Sequence, residues 1–345
     1  MGLYYIFAFA LLLVGLKFNG RGYYDDFLSL PQANAVKGFF ILLVFISHSL
    51  TMVGNAGYSF PTALDKFGDQ LQTHFGQLIV AMFLFYSGYG VMESLAHKGR
   101  AYLQSYPKRR LLTTLLNFDV AVLFFLLLDY AIGIHYNFRH ILYSLLAWKS
   151  VGNTEWYIFA ILFCYVAFYS CSLLFSSNPK RLAFSVLLLS LAYMIAISFK
   201  KQHWWYDTIL CFPTGVLFSV YKEQIIPAFK RWYYPILLFL FFLFLFLHCS
   251  DLPDLHGLTY NLQSISFALL IVLLTMKLKS GNRAINWLGT KLFPIYVYQC
   301  IPMLLVSGIA RGTLVADHPH LCIILCLAVT LLFALGYEFW RIQLD

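Results

Sequence analysis

Lys37-Gly38-Phe39-Phe40-Ile41-Leu42-Leu43-Val44-Phe45-Ile46-Ser47-His48-Ser49-Leu50 is almost entirely apolar between a lysine at its start and a histidine near its end. In an α-helix the eleven steps from Lys37 to His48 correspond to about 16 Å along the axis. They also make three turns plus about 20°, so both side chains face the same way. Polar side chains in such helices usually face a protein interior or a water-filled cavity, where functional sites concentrate. This stretch therefore predicts a membrane helix with one functional face.

The composition of the whole chain agrees with this prediction. Of the 345 residues, 61% are hydrophobic and only 11% are charged, whereas soluble domains average about 25% charged residues. Such a composition excludes a soluble domain and predicts an all-α, polytopic protein of the lipid bilayer. The net charge of +9 arises from basic residues in short loops. We attribute it to attraction to anionic lipid headgroups and expect no nucleic-acid partner.

The apolar runs predict eleven membrane spans. The first is short, but it has no basic start and no small-residue cleavage site after it, so we favour a retained helix over a signal peptide. We accordingly divide the chain into an extra N-terminal helix with its linker, residues 1–30, and a ten-helix membrane domain, residues 31–345. The predicted spans are 3–18, 32–54, 74–95, 111–133, 155–176, 182–199, 204–220, 233–249, 258–278, 285–307 and 317–341.

The loops between these spans predict the orientation. Most of the lysines and arginines fall in one set of alternate loops, and only six fall in the other set: Lys66, Arg139, Lys149, Lys200, Lys201 and Arg311. The richer set should be cytoplasmic. The N-terminus is then outside and the C-terminus inside a cell inner or plasma membrane, with Lys37 at the cytoplasmic edge and His48 deeper.

Several segments, in order, resemble the membrane acyltransferase-3 family. Residues 36–48 resemble its opening motif, a basic residue followed after ten residues by histidine. Later segments resemble its aromatic Ser-Gly-Tyr helix, its basic loop, its Trp-aromatic helix start and a late helix: Phe83-Leu84-Phe85-Tyr86-Ser87-Gly88-Tyr89-Gly90, Tyr106-Pro107-Lys108-Arg109-Arg110-Leu111-Leu112, Glu155-Trp156-Tyr157-Ile158-Phe159 and Trp287-Leu288-Gly289-Thr290-Lys291-Leu292-Phe293-Pro294-Ile295-Tyr296-Val297-Tyr298-Gln299.

The chain departs from the family pattern at three positions. Lys37 stands where the family usually has arginine, Thr113 where a further arginine is usual, and Gln299 where a histidine is frequent. An ammonium cannot grip a phosphate with two parallel hydrogen bonds as a guanidinium does. These differences concern donor binding more than the chemistry.

The resemblance implies transfer of an acyl group, acetyl first among them, from a cytoplasmic acyl-CoA to a hydroxyl of an extracytoplasmic carbohydrate or glycolipid. A neutral imidazole suits the general base of such a reaction, and the alternative is that His48 itself accepts the acyl group. We assign catalysis to His48, Lys37 and Glu155 and expect no metal. Acetyl-CoA or another acyl-CoA is the expected donor substrate.

The remaining candidate residues divide between the two substrates. Coenzyme A carries several phosphate charges, which basic side chains at the membrane edge can hold. For the donor we predict contacts from Lys37, Lys108, Arg109, Arg110, Ser87 and Tyr89. For the acceptor we predict contacts from Glu155, Trp156, Tyr157, Tyr298 and Gln299, with Tyr296 a further candidate for the cavity of His48.

Other functions fit parts of the same pattern. A transporter or flippase of a glycan or lipid-linked sugar would also line a cavity with buried polar residues, and three prolines could break its helices. A non-catalytic assembly subunit would tolerate replacement of His48. For the basic loop, an anchoring role in topology is the competing interpretation, and for Ser87-Gly88 it is close helix packing.

Overall fold

The computed structural model describes residues 1–250, 252–309 and 313–344, and its fold is an all-α, polytopic membrane protein, as predicted. Two short strands, β1 (Leu16–Phe18) and β2 (Leu278–Ser280), form an antiparallel pair. The helices are α1 (Gly2–Leu13), α2 (Leu30–Asn55), α3 (Ala63–Phe75), α4 (Leu78–Tyr106), α5 (Thr113–Ala131), α6 (Phe138–Leu145), α7 (Glu155–Phe175), α8 (Pro179–Ser198), α9 (Cys211–Arg231), α10 (Tyr233–Cys249), α11 (Leu258–Lys277), α12 (Arg283–Thr290), α13 (Leu292–Tyr298), α14 (Cys300–Ile309), α15 (Thr313–Asp317) and α16 (Pro319–Trp340).

Eight stretches of the described chain are long and apolar enough to cross a membrane. Six of them are continuous, and the other two count only if each bent pair is one span. In these two, α9 meets α10 at 99°, and α12 meets the stretch Leu292–Gly308, which comprises α13 and most of α14, at 67°. One continuous stretch, Ala63–Ala131, contains both of the predicted spans 74–95 and 111–133. Within it Gly99 has a φ of 54° and interrupts α4, and a π-helical turn, Pro107–Leu112, leads into α5.

The N-terminal span predicted at 3–18 is wrong in its extent. Helix α1 ends at Leu13, and Gly15, with a φ of +76°, leads the chain into β1. Twelve residues make a helix of about 18 Å, which is shorter than the hydrocarbon core of about 30 Å. The residues that follow pair with β2 instead of extending the helix, because a partner strand is available there.

Glycines let the central helices approach closely. A Cβ on Gly88 of α4 would lie 2.0 Å from the Phe212 carbonyl oxygen, and one on Gly215 of α9 would lie 2.1 Å from that of Phe85. Helices α2 and α12 meet in the same way through Gly38 and Gly289. Such small residues are typical of helix interfaces in membranes, where close backbone packing replaces the hydrophobic driving force.

The two ends of the bundle carry different residues. We call the end with Lys37 and the strand pair the lysine side, and the opposite end, where α2 finishes at Asn55, the histidine side. At the lysine side the amide of Asn117 donates to the backbone oxygen of Ile342 at 2.8 Å. At the histidine side the amide of Gln72 in α3 donates to the backbone oxygen of Ser47 at 3.0 Å. Helix α3 therefore packs over the end of α2.

Candidate functional site

Helix α2 positions both Lys37 and His48. Pro31 stands in its first turn, where proline favours helix initiation because its missing N–H is not needed there. Most of the helix is buried in the bundle. Lys37 and His48 are half-buried, and each opens onto a cavity.

The cavity of His48, which we call the histidine cavity, has a volume of about 470 Å³. Its lining is strongly polar for a membrane protein, and Trp156 and Tyr296 contribute aromatic walls. The polar residues that line it are Ser47, His48, Thr51, Asn55, Asp69, Gln72, Thr73 and Gln77. Hydroxyl, amide and carboxyl groups of this kind pair with the hydroxyls of a polar ligand.

Helix α3 forms one wall of the histidine cavity. Its start is fixed by a capping box, in which Thr62 accepts from the Asp65 backbone N–H while the Asp65 side chain accepts from the Thr62 backbone N–H. Gln72 also donates to the Thr51 hydroxyl at 2.7 Å. The sequence signal for this helix was the Thr-x-x-Asp spacing at 62–65, which our span prediction did not use.

A further opening, of about 430 Å³, shares His48, Thr51 and Asn55 with the histidine cavity. His48 and Cys300 both line it, together with Gly152. The Cys300 Sγ lies 3.9 Å from His48 Nδ1, so the thiol contacts the imidazole edge. Sequence reasoning missed Cys300 because its position relative to α2 depends on the bend before α13.

The cavity of Lys37, which we call the lysine cavity, has a volume of about 430 Å³. Arg110 lines it as well, so two cations face one space. None of the described residues that line it is acidic, and the neutral polar groups are Ser87, Thr113, Thr114 and Asn117, with the hydroxyls of Tyr86, Tyr157, Tyr165, Tyr296 and Tyr337. Two like charges without a carboxylate between them favour an anionic ligand.

A buried hydroxyl supports the same interpretation. Among the described residues, the Tyr86 hydroxyl is buried and has no hydrogen-bond partner, and Tyr86 lines the lysine cavity. Leaving a buried hydroxyl unpaired costs about 1–3 kcal/mol. A ligand in the cavity would remove that cost. Tyr86 is not among the predicted site residues, because a tyrosine in an aromatic run carries no distinguishing sequence signal.

Tyr296 lines both cavities. Its ring centroid lies 5.0 Å from that of Tyr157, and its hydroxyl donates to the backbone oxygen of Thr154 at 3.2 Å. The tyrosine pair therefore stands between the space around Lys37 and the space around His48.

The structure brings some of the predicted site residues together. Lys37, Arg110, Ser87 and Tyr157 share the lysine cavity. His48 and Trp156 share the histidine cavity.

Other predicted residues lie elsewhere. Tyr298 packs among aromatic rings, where Trp340 donates to its hydroxyl at 3.0 Å. Gln299 is fully buried and donates to the backbone oxygen of Tyr296 at 3.3 Å. The ring of Tyr89 packs against Phe218.

Two residues of the basic turn, and Glu155, lie outside the lysine and histidine cavities. Lys108, Arg109 and Arg110 are all exposed, but Lys108 and Arg109 line neither cavity. Glu155 opens onto a third cavity, beside Lys201. Burial lowers the pKa of Lys201, although the Glu155 carboxylate works against this shift and Lys149 adds to it.

The chain matches one known protein family. The profile of an acyltransferase domain, acyltransferase-3, matches residues 30–337. No curated protein and no solved structure gives a match.

Proposed function

The chain belongs to the acyltransferase-3 family and is an integral membrane acyltransferase; from that premise we propose that it moves an acyl group, acetyl first among them, from an acyl-CoA to a hydroxyl of a carbohydrate or glycolipid. One observation supports acyl-CoA as the donor. The lysine cavity presents two cations, Lys37 and Arg110, and no acidic residue among the described ones that line it. Coenzyme A brings phosphate charges, and charge-assisted hydrogen bonds to phosphate are among the strongest available.

The donor enters from the lysine side in this proposal. The loops of that side are rich in lysine and arginine, so it faces the cytoplasm by the positive-inside rule, in an inner or plasma membrane. The phosphates lie near Lys37 and Arg110. The hydroxyls of Ser87 and Tyr86 are available to the pantetheine amides. The thioester then points toward Tyr296, where the two cavities adjoin.

The acceptor enters from the opposite side. The polar groups of α2 and α3 that line the histidine cavity suit a ligand with many hydroxyls. The aromatic face of Trp156 suits the C–H face of a sugar ring. A bilayer that separates the two substrates explains why the enzyme needs a site open at both ends.

His48 acts as the general base in this proposal. The acceptor oxygen attacks the thioester carbonyl carbon while the imidazole removes its proton, and the C–S bond then breaks. The thiolate of coenzyme A takes the proton back from the imidazolium, which restores neutral His48 and releases the acylated sugar. The contact with Cys300 restricts the orientation of the ring, and the half-buried position leaves it reachable.

The test of this chemistry is His48→Ala in purified, membrane-reconstituted protein with acetyl-CoA and a mixture of oligosaccharide acceptors. Removing a general base should lower the transfer rate by about 10²–10⁴-fold. His97→Ala is the matched control, because the His97 side chain is 71% exposed on α4. A correctly folded His48→Ala protein that transfers acyl groups at the normal rate would rule out the mechanism.

The test of donor binding compares the basic residues that line the lysine cavity with those that do not. We expect Lys37→Ala/Arg110→Ala to weaken binding of coenzyme A in calorimetry, whereas Lys108→Ala/Arg109→Ala should change it little. Each variant removes two positive charges, so the second controls for net charge. Equal affinity in both variants and the parent protein would refute a phosphate site in the lysine cavity.

A further inference from the structure

A third cavity lies at the histidine side, between the segment before α7 and the segment after α8. It has a volume of about 550 Å³, and we call it the tryptophan cavity. Trp148, Trp204 and Trp205 line it together with Lys149, Lys200 and Lys201. Glu155 opens onto it as well, so the cavity combines flat aromatic surfaces with charges of both signs and a net positive balance.

The positive charge at this place is unusual for this chain. The predicted spans leave only six lysines and arginines in the sparse set of loops, and three of them, Lys149, Lys200 and Lys201, line this one cavity. The positive-inside rule explains lysines in the opposite loops, but it does not explain a cluster here. A binding site for an anionic ligand would explain the cluster.

The cavity wall is also preorganised. The Lys201 Nζ lies 4.0 Å from the ring centroid of Trp148 and 3.9 Å from that of Trp205. The same ammonium donates to the backbone oxygen of Trp148 at 2.7 Å, and the two indoles pack edge to face at 5.6 Å. Cation–π contacts of this kind hold both the charge and the rings in place. Lys149 and Lys200 are exposed, so a ligand can reach both ammonium groups, although the Lys149 Nζ also lies 5.7 Å from the ring centroid of Tyr143.

Glu155 narrows the class of ligand. A carboxylate accepts hydrogen bonds and repels an anion, so a ligand that is only a phosphate gains nothing from it. A sugar acid carries hydroxyls, which donate to Glu155, and a carboxylate, which pairs with the lysines. Its C–H face fits against an indole. The combination on the cavity wall therefore favours an acidic sugar.

The tryptophan cavity adjoins the candidate active site. Glu155 opens onto the tryptophan cavity and the next residue, Trp156, onto the histidine cavity. Gly152, in the loop between Lys149 and Glu155, lines the opening shared by His48 and Cys300. Residues of this loop and of the first turn of α7 therefore line both the tryptophan cavity and the space around His48.

We propose that the tryptophan cavity binds an acidic sugar residue of the acceptor glycan, held by Lys149, Lys200 and Glu155, beside the sugar that is acylated. The link to acylation rests on the proposed function, whereas the binding of an acidic sugar does not. The ligand class is a uronic acid or a sugar of equivalent charge.

The experiment measures binding by calorimetry to the full chain in detergent, with no acyl donor present. The probes are trigalacturonic acid and, as a neutral match, maltotriose. We expect saturable binding of the acidic trisaccharide, weaker binding of the neutral one, and about a tenfold loss of acidic affinity in Lys149→Gln/Lys200→Gln. Lys66→Gln is the control, because Lys66 belongs to the same sparse set of basic residues but does not line the cavity.

Three results would overturn the proposal. One is equal affinity for the two trisaccharides, and another is unchanged acidic affinity in the double variant. The third is binding of dihexanoyl phosphatidylglycerol that depends on Lys149 and Lys200 while trigalacturonic acid does not bind, which would make the cavity a lipid site. Failure of the acyl transfer assay would leave the binding result intact, so the two proposals fail separately.

Discussion

Replacing Gly38 by alanine tests how closely α2 and α12 must approach. The added Cβ would lie 1.8 Å from the backbone oxygen of Ile285 and 2.8 Å from the backbone nitrogen of Gly289. Real Cβ atoms essentially never come closer than 3.0 Å to such an atom. Both neighbours are backbone atoms, so no side chain can rotate away, and the helices must separate by more than about 1 Å.

The expected cost follows from this geometry. Overpacking in a well-packed interior typically lowers stability by about 1–3 kcal/mol. Replacing glycine by alanine inside a helix raises stability by about 0.5–1 kcal/mol. We therefore expect a net loss of stability of up to about 2.5 kcal/mol. Because Lys37 precedes Gly38 and α2 also carries His48, a displacement of about 1 Å should lower the transfer rate by about 10²-fold.

The assay compares the melting temperature of Gly38→Ala with that of Gly54→Ala, and the transfer rate of Gly38→Ala with that of the parent protein. Gly54 is on the same helix, and its added Cβ would meet only the Phe60 ring, at 3.6 Å, an ordinary contact. The Gly54 variant should match or slightly exceed the parent in stability. Gly289→Ala should resemble Gly38→Ala, because its Cβ would lie 1.8 Å from the Asn34 backbone oxygen.

A Gly38→Ala protein with the parent's melting temperature and transfer rate would refute the reasoning. It would mean that α2 and α12 do not meet through backbone at this point. A loss of stability in Gly54→Ala as large as that in Gly38→Ala would refute it too, because the effect would then not depend on the neighbouring backbone.

Three further expectations concern Tyr296, Asp207 and Asn117. Tyr296→Ala should connect the lysine and histidine cavities, so that water reaches the thioester. The ratio of free acid to acylated sugar, measured by mass spectrometry, should then rise, and an unchanged ratio contradicts this. Burial raises the pKa of Asp207 from 3.8 to about 7. The folded protein therefore holds this proton more tightly than the unfolded chain, and stability declines as pH rises from about 4 to 7. The melting temperature should be higher at pH 5 than at pH 8, and Asp207→Asn should reduce that difference; an equal difference in both proteins contradicts it. Asn117 exchanges two hydrogen bonds with the Ile342 backbone, at 2.8 and 2.9 Å; Asn117→Ala should cost about 1–3 kcal/mol and speed amide exchange at Ile342, and an unchanged exchange rate argues against it.

Much of the fold class could be predicted from the sequence. Apolar runs of membrane length occur between charged clusters, and each of them is a local property of a few turns of helix. The family resemblance began at the Lys37–His48 spacing, and the match of the family profile to residues 30–337 confirms it. The helical period alone puts these two side chains on one face of α2.

The assembled cavities depended on tertiary structure. Lys108, Arg109 and Arg110 are adjacent and chemically alike, yet only Arg110 lines the lysine cavity. Glu155 and Trp156 are consecutive, yet they open onto different cavities. Successive residues of a helix point about 100° apart, so the phase of each helix against its neighbours decides which side chain faces which space.

The sequence by itself determined that the chain is a membrane protein with a lysine and a histidine on one helix face, because hydropathy and helical period act over neighbouring residues. Only the tertiary structure decided that Tyr296 stands between their cavities, that Cys300 contacts His48 and that β1 replaces the end of the first predicted span. Each of these depends on contacts between residues far apart in the chain, which close packing of the helices fixes and no local pattern specifies.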